Sequence, residues 1–146
     1  MKQNFKADLA FGQRAEQVIL SKFVDLSPLD GRMGDFIHKS GIRGELKADR
    51  YTSGNFFFEH FSHHKKQTPG GPFKAKEDGC TWFLYLFTSN ETLYLFDTET
   101  LINHLLTHKD TLRYHLVSKS NASGFIVPIK SIEHLCLSLE VLGDCA

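Results

Sequence analysis

Apolar residues first recur at helical spacing. From about Phe11 to Leu26, Ala15, Val18, Ile19 and Phe23 fall on one stripe, which predicts an amphipathic helix. Glu16 lies three, four and seven positions before Ile19, Leu20 and Phe23, so it sits on or beside that stripe. SPLDGRMG (Ser27 to Gly34) reads as a loop from its Pro, Asp and Gly content. Asp35-Phe36-Ile37 is a short strand, His38 to Gly41 a turn, and Ile42 to Tyr51 a second strand. There the period of two puts Glu45, Lys47 and Asp49 on one face and Leu46 and Ala48 on the other. Thr52-Ser53-Gly54-Asn55 supplies hairpin-turn chemistry, and Asn55 to Phe61 is a third strand with Phe57, Glu59 and Phe61 sharing a face.

Ser62 to Gly79 is polar and broken by Pro69-Gly70-Gly71-Pro72, which reads as a long functional loop. Thr81 to Phe87 and Thr92 to Phe96 are strands joined at Ser89-Asn90. The first of them lacks polar alternation, as a central strand covered on both faces should. Asp97 or Thr98 caps a helix from Glu99 to about His108, with Leu101, Ile102, Leu105 and Leu106 inward. Arg113 to Val117 and Gly124 to Ile129 are late strands, and Ser131 to Leu142 a final helix or amphipathic extension. The order predicts an α/β (α+β) fold, a mixed β-sheet flanked by helices.

Composition narrows the class. At 146 residues the chain fits a single domain, 1–146, with its core over about 11–130. Seventeen basic side chains against seventeen acidic ones exclude a strongly basic nucleic-acid sponge and an acidic mimic, so any polyanion must be met by a local patch. No apolar run is long enough to span a bilayer, and MKQNFKADLAFG has no secretory-signal core; the expectation is a cytoplasmic protein without a membrane partner. Cys80, Cys136 and Cys145 form no CxxC pair, and their odd number argues for reduced thiols.

The chemistry concentrates on Asp35 and the triplet Glu45-Leu46-Lys47. A hairpin brings Asp35 and Glu45 side by side, and two carboxylates that close repel unless a divalent cation sits between them. Oxygen ligands suit Mg²⁺ or Mn²⁺, and the Leu46 carbonyl is a further available oxygen. Lys47, one step along the same face, then stands where it can orient or deprotonate a water and offset charge on a phosphate.

FGQRAEQVILSKF, then GDFIHKSGIRGELKADRYTSGNFFFEHF, resembles the PD-(D/E)XK nuclease superfamily, the restriction-endonuclease-like fold, and among its members small phage-type endonucleases and Holliday-junction resolvases. The matching features are Gly12 and Glu16 in a G-x-x-x-E context, Asp35, Glu45-Leu46-Lys47, and Ser53-Gly54-Asn55 leading to Glu59; PGGPFKAKEDGCTWFLYLF is similar to the loop and strand that follow. The likeness covers about Phe11 to Leu106, and departs from the pattern where Gly34 replaces the proline before Asp35.

The resemblance implies a metal-dependent endonuclease hydrolysing phosphodiester bonds in DNA, structure-selective, leaving a 5′-phosphate, in a bacterial or phage-infected cell. It implies metal ligation by Asp35 and Glu45, catalysis by Lys47, and a second metal or a metal water held by Glu16. Asp49 is an auxiliary ligand, a partner for Arg50 or Lys47, or a solvated hairpin-end group. Glu59, among phenylalanines, is either edge-exposed or drawn into the metal cluster. Arg43, Arg50, Asn55, Lys65, Lys66, Lys74 and Lys76 are the expected DNA contacts. Two cuts need two sites, so symmetry favours a homodimer.

Three other readings compete. A catalytically inactive nuclease-like fold would act as a DNA- or protein-binding module, but has no need to keep costly like charges together. His60, His63, His64 and Cys80 have no recognised zinc spacing. A metal-independent ribonuclease would need two histidines flanking a phosphate pocket.

Overall fold

The strand Trp82–Phe87 is buried at five of its six positions, and both layers of the fold are laid against it. The computed structural model describes residues 2–29 and 33–142; Cys145 and part of the Ser27–Gly34 loop lie outside them. The described elements are α1 (Lys2–Lys22), β1 (Leu26–Pro28), β2 (Phe36–His38), β3 (Arg43–Asp49), β4 (Asn55–His63), β5 (Thr68–Pro69), α2 (Gly71–Glu77), β6 (Trp82–Phe87), β7 (Thr92–Asp97), α3 (Thr98–Thr107), β8 (Arg113–Leu116), β9 (Ser123–Pro128), α4 (Ile129–Ile132) and β10 (Ser138–Val141). They form a mixed α/β structure of two sheets, one ordered β1-β2-β3-β6-β7-β10 and the other β5-β4-β9-β8. Among the described strands only β3 and β6 run parallel.

Alternation along β6 divides the core in two. Leu84 and Leu86 meet Ala15 and Ile19 of α1 together with Phe36. Phe83, Tyr85 and Phe87 face the second sheet, where Phe56, Phe58, Phe125 and Val127 join Leu101 and Leu105 of α3. Phe56 sits at the centre, its ring 4.9 Å from Tyr85 and 5.0 Å from Tyr94, both edge-on. Seven of the thirteen phenylalanines of the sequence lie in or against this layer between two sheets.

The second sheet overturns one expectation. Residues 52–55 do not close a hairpin: β4 pairs with β5 and β9, so the chain leaves β3 and crosses to the other layer. Phe56 and Phe58 are wholly buried, and only a second layer facing β6 offers them that burial. β3 meanwhile takes β6 as its parallel neighbour, from Gly44↔Trp82 to Asp49↔Phe87.

Other boundaries shift for local reasons. α1 starts earlier than its apolar stripe and ends at Lys22, leaving Leu26 to β1. The stretch 62–79 holds the end of β4, a turn, β5 and the helix α2. Pro72 occupies the first turn of α2, where its missing N–H costs nothing, so PGGP starts a helix instead of merely breaking a chain. Asp97 caps α3 by accepting a hydrogen bond from the Thr100 amide at 2.9 Å, while Leu106 is exposed rather than inward. Past α4 the expected final helix gives way to one 3₁₀ turn (Glu133–Leu135) and to β10, which pairs with β7. Among the described residues no helix is long and apolar enough to cross a membrane.

Candidate active site

β2 is three residues long and pairs with β3 only at Phe36↔Gly44 and Ile37↔Arg43. From Glu45 onward β3 therefore has an open side, and Asp35 closes its first position. The Asp35 amide donates to the Gly44 carbonyl at 2.8 Å, and Asp35 Oδ2 accepts from the Leu46 amide at 2.7 Å. The carboxylate thus replaces the next ladder bond where the strand has run out. N–H and C=O of one strand residue point to the same side, so the Leu46 carbonyl faces this open edge too.

Two further carboxyl groups collect on Asp35. Glu45 comes from β3 itself, and Glu16 from α1, one position after the buried Ala15. Each shares a side-chain hydrogen bond with Asp35. Burial, then the charge of Asp35, pushes Glu45 from the usual 4.5 up to about 7, with the Lys74 ammonium opposing. Burial and Asp35 raise Glu16 as well. The expected hairpin placed Asp35 beside Glu45 and the resemblance added Glu16; the fold brings both glutamates to Asp35.

The surroundings fix the trio tightly. Lys74 of α2 bonds Asp78 at 2.6 Å while its charge reaches Glu45, and Arg43 donates to the Gly79 carbonyl at 3.4 Å. The buried Cys80 thiol donates to the Met33 carbonyl at 3.4 Å and is pushed up to about 11, by burial first and then by Glu45. It stays a thiol, not a nucleophile. Gly34 has φ +117°, and a Cβ there would stand 2.7 Å from Cys80 Sγ and 3.0 Å from the Gly44 carbonyl oxygen. Proline, locked near φ −65°, cannot take that position, which is the physical reason for its absence before Asp35.

Lys47 shares the face of Glu45 and is exposed; its ladder partner is Tyr85. Across from it stands Glu59 of β4, raised by burial and held back by the Lys47 charge. The Glu59 side chain lies over Gly70, where an added Cβ would collide with its carboxylate. Glu59 is thus neither edge-exposed nor joined to the trio: its charge partner is Lys47.

Asp49 is a correction. It is neither a solvated turn residue nor an auxiliary ligand. Buried to 9% exposure, it accepts from the Tyr85 hydroxyl at 2.6 Å and from the Tyr51 amide at 2.8 Å. Four residues along the strand also separate it from Glu45 by roughly 13 Å.

The expected DNA contacts do not form one patch. Lys74 faces Glu45, and Arg43 lies by the Cys80 thiol and the Gly79 carbonyl. Lys76 faces Glu99 at 3.8 Å, and Lys65 and Lys66 are exposed on the turn after β4. Arg50 and Asn55 instead line a groove of about 910 Å³ with Lys47. Arg50 rests 4.3 Å over the Phe11 ring, and Asn55 is tied to Ser53. The far wall carries two residues that sequence reading missed, Arg113 and His115. Their signal is spacing: two basic groups at i and i+2 on a four-residue strand share a face.

The histidines considered for zinc are engaged elsewhere, His60 with the Tyr114 hydroxyl and His64 with the Ser123 hydroxyl. The trio itself is held carboxyl to carboxyl, and among the described residues no three His, Cys, Asp or Glu side chains are arranged to hold a metal ion. The chain matches no protein-family model, no curated protein and no solved structure.

Proposed function

We propose that this protein is a Mg²⁺- or Mn²⁺-dependent deoxyribonuclease hydrolysing phosphodiester bonds at the Glu16, Asp35, Glu45 and Lys47 site. The observation that carries the reading is the meeting of three carboxyl groups, from α1, from the residue before β2 and from β3, with Lys47 two positions along the strand face that Glu45 occupies. Carboxyl oxygens are the donor type a hard divalent cation takes, and the three would have to turn from one another onto it, since among the described residues no three are arranged to hold one. Glu16 and Glu45, raised by burial and by the charge of Asp35, are stabilised by a charge of two.

Asp35, Glu45 and Glu16 would hold the ion, with the Leu46 carbonyl on the same edge. A divalent ion supplies Lewis-acid polarisation of a phosphate oxygen. Lys47 would place a positive charge where charge develops on the phosphate and orient the attacking water; its charge also reaches Glu59. Water adds to phosphorus as the 3′ oxygen leaves in line, giving a 5′-phosphate. A homodimer acting on DNA in the cytoplasm belongs to the same proposal.

The test is incubation with linear, circular and branched DNA, in Mg²⁺ and in EDTA, for wild type, Glu45→Ala and Lys47→Ala. Cleavage by wild type in Mg²⁺ alone, lost in both variants, is the expected result. A folded wild type that cuts none of these substrates with metal present overturns the reading and leaves a binding module.

A further inference from the structure

The groove beside Lys47 is built jointly by both sheets. Across the second sheet, Phe57 is in register with Ile126 and Ile126 with Arg113; Glu59 is in register with Gly124 and Gly124 with His115. Registered neighbours share a face, so Arg113 and His115 stand on the same side as Phe57 and Glu59. That side is opposite to the buried Phe56 and Phe58, and it turns toward the open edge of β3. Lys47 therefore belongs to both the carboxylate site and the groove.

The lining has a definite chemistry. Lys47, Arg50 and Arg113 are cationic, and His115 adds a titratable donor. The acid among the lining residues, Asp49, is buried and occupied by Tyr85 and the Tyr51 amide. On a chain of zero formal charge this is a local basic channel. It is also aromatic: Phe57 lines it, and Tyr51 stands at its edge with 70% of its surface exposed. Cations that track phosphates, interleaved with free ring faces, match unpaired bases; bases within a duplex have no face to offer.

We propose that this groove binds a single DNA strand, with phosphates on Arg113 and Lys47 and bases against Tyr51 and Phe57, and leads it to the carboxylate site. The substrate class is then an unpaired strand, a flap or an overhang. Only the cleavage half of this inference rests on the proposed nuclease activity; the binding half stands without it.

Binding is measured in EDTA, by fluorescence anisotropy, with a labelled 15-nucleotide single strand and with the duplex of the same sequence. The single strand is expected to bind at least about tenfold tighter than the duplex. Arg113→Ala should weaken it about tenfold and lower the salt slope by about 0.7, as loss of one phosphate contact does. Tyr51→Ala should weaken it by about tenfold or more, as loss of one stacked base does. Both side chains are exposed, so both variants should fold, and Lys109→Ala, outside the groove, serves as control. Equal or tighter duplex binding, or single-strand binding unchanged in both variants, overturns the inference. A protein that binds single strands by these residues yet never cuts overturns the nuclease reading alone. One that cuts duplex DNA at full rate with Arg113→Ala overturns the groove alone.

Discussion

Replacing Glu45 by glutamine should stabilise the metal-free protein at pH 8. In the folded state the Glu45 carboxyl is raised from the usual 4.5 to about 7, so folding holds its proton more tightly than the unfolded chain does. Its contribution to stability is intact below about pH 4.5 and is lost as pH rises through about 7. At ~1.36 kcal/mol per pH unit the ceiling is about 3 kcal/mol. Glu45 is partly exposed and shares its titration with Asp35, so solvent screening brings the expected cost to about 1–2 kcal/mol. Glutamine keeps the shape and a hydrogen bond to Asp35 but cannot ionise. Urea unfolding in EDTA should therefore show Glu45→Gln about 1–2 kcal/mol more stable than wild type at pH 8, with the gap closing by pH 5. Added Mn²⁺ should reverse the order: at a hundredfold excess over Kd wild type gains about 2.7 kcal/mol, and the variant, short of one ligand, gains little. If Glu45→Gln is the less stable protein at pH 8 in EDTA, or the gap ignores pH, the carboxyl cluster does not exist as described.

Two other substitutions probe the supports of the site. Tyr85→Phe removes the hydroxyl that donates to Asp49 at 2.6 Å and accepts from the Phe57 amide at 3.0 Å. Two buried groups lose a partner, so stability should fall by about 2–4 kcal/mol in urea titrations, while Mn²⁺ affinity stays as in wild type. Gly34→Ala forces a side chain into a left-handed backbone and against Cys80, and should cost about 1–3 kcal/mol together with a lower Mn²⁺ affinity through displacement of Asp35. Adding Cys80→Ala should return part of that loss by calorimetry, because it removes the sulfur but not the backbone strain.

What the sequence discloses is what local patterning controls. The stripe of α1, the alternation of β3, the unbroken apolar run of β6 and the Asp97 cap each follow from neighbours within a few positions. The approach of Glu16, Asp35 and Glu45 is legible as well, because a short meander and one helix set it. Residues 52–55 show the limit: a turn of that composition serves equally for a strand that folds back in its own sheet and for one that changes layer. Only the fit of Phe56 and Phe58 against Tyr85 decides between them. Asp49 illustrates the same point, since its partner Tyr85 comes 36 residues later. The PGGP segment misleads by composition, because Gly and Pro mark helix starts as well as loops.

The crossover after β3 does more than bury phenylalanines. Had β4 paired with β3 in a hairpin, it would have taken the open side of β3, and the Asp35 carboxylate would have had no amide to accept from. Glu59 would then have flanked Lys47 within one sheet, without facing it across a gap. By sending β4 to a second layer, the chain leaves the β3 edge free for Asp35 and places Glu59, Arg113 and His115 opposite Lys47. The carboxylate cluster and the basic groove therefore share one cause, the brevity of β2 and the departure of β4. A substitution that restored pairing along that edge would abolish both together.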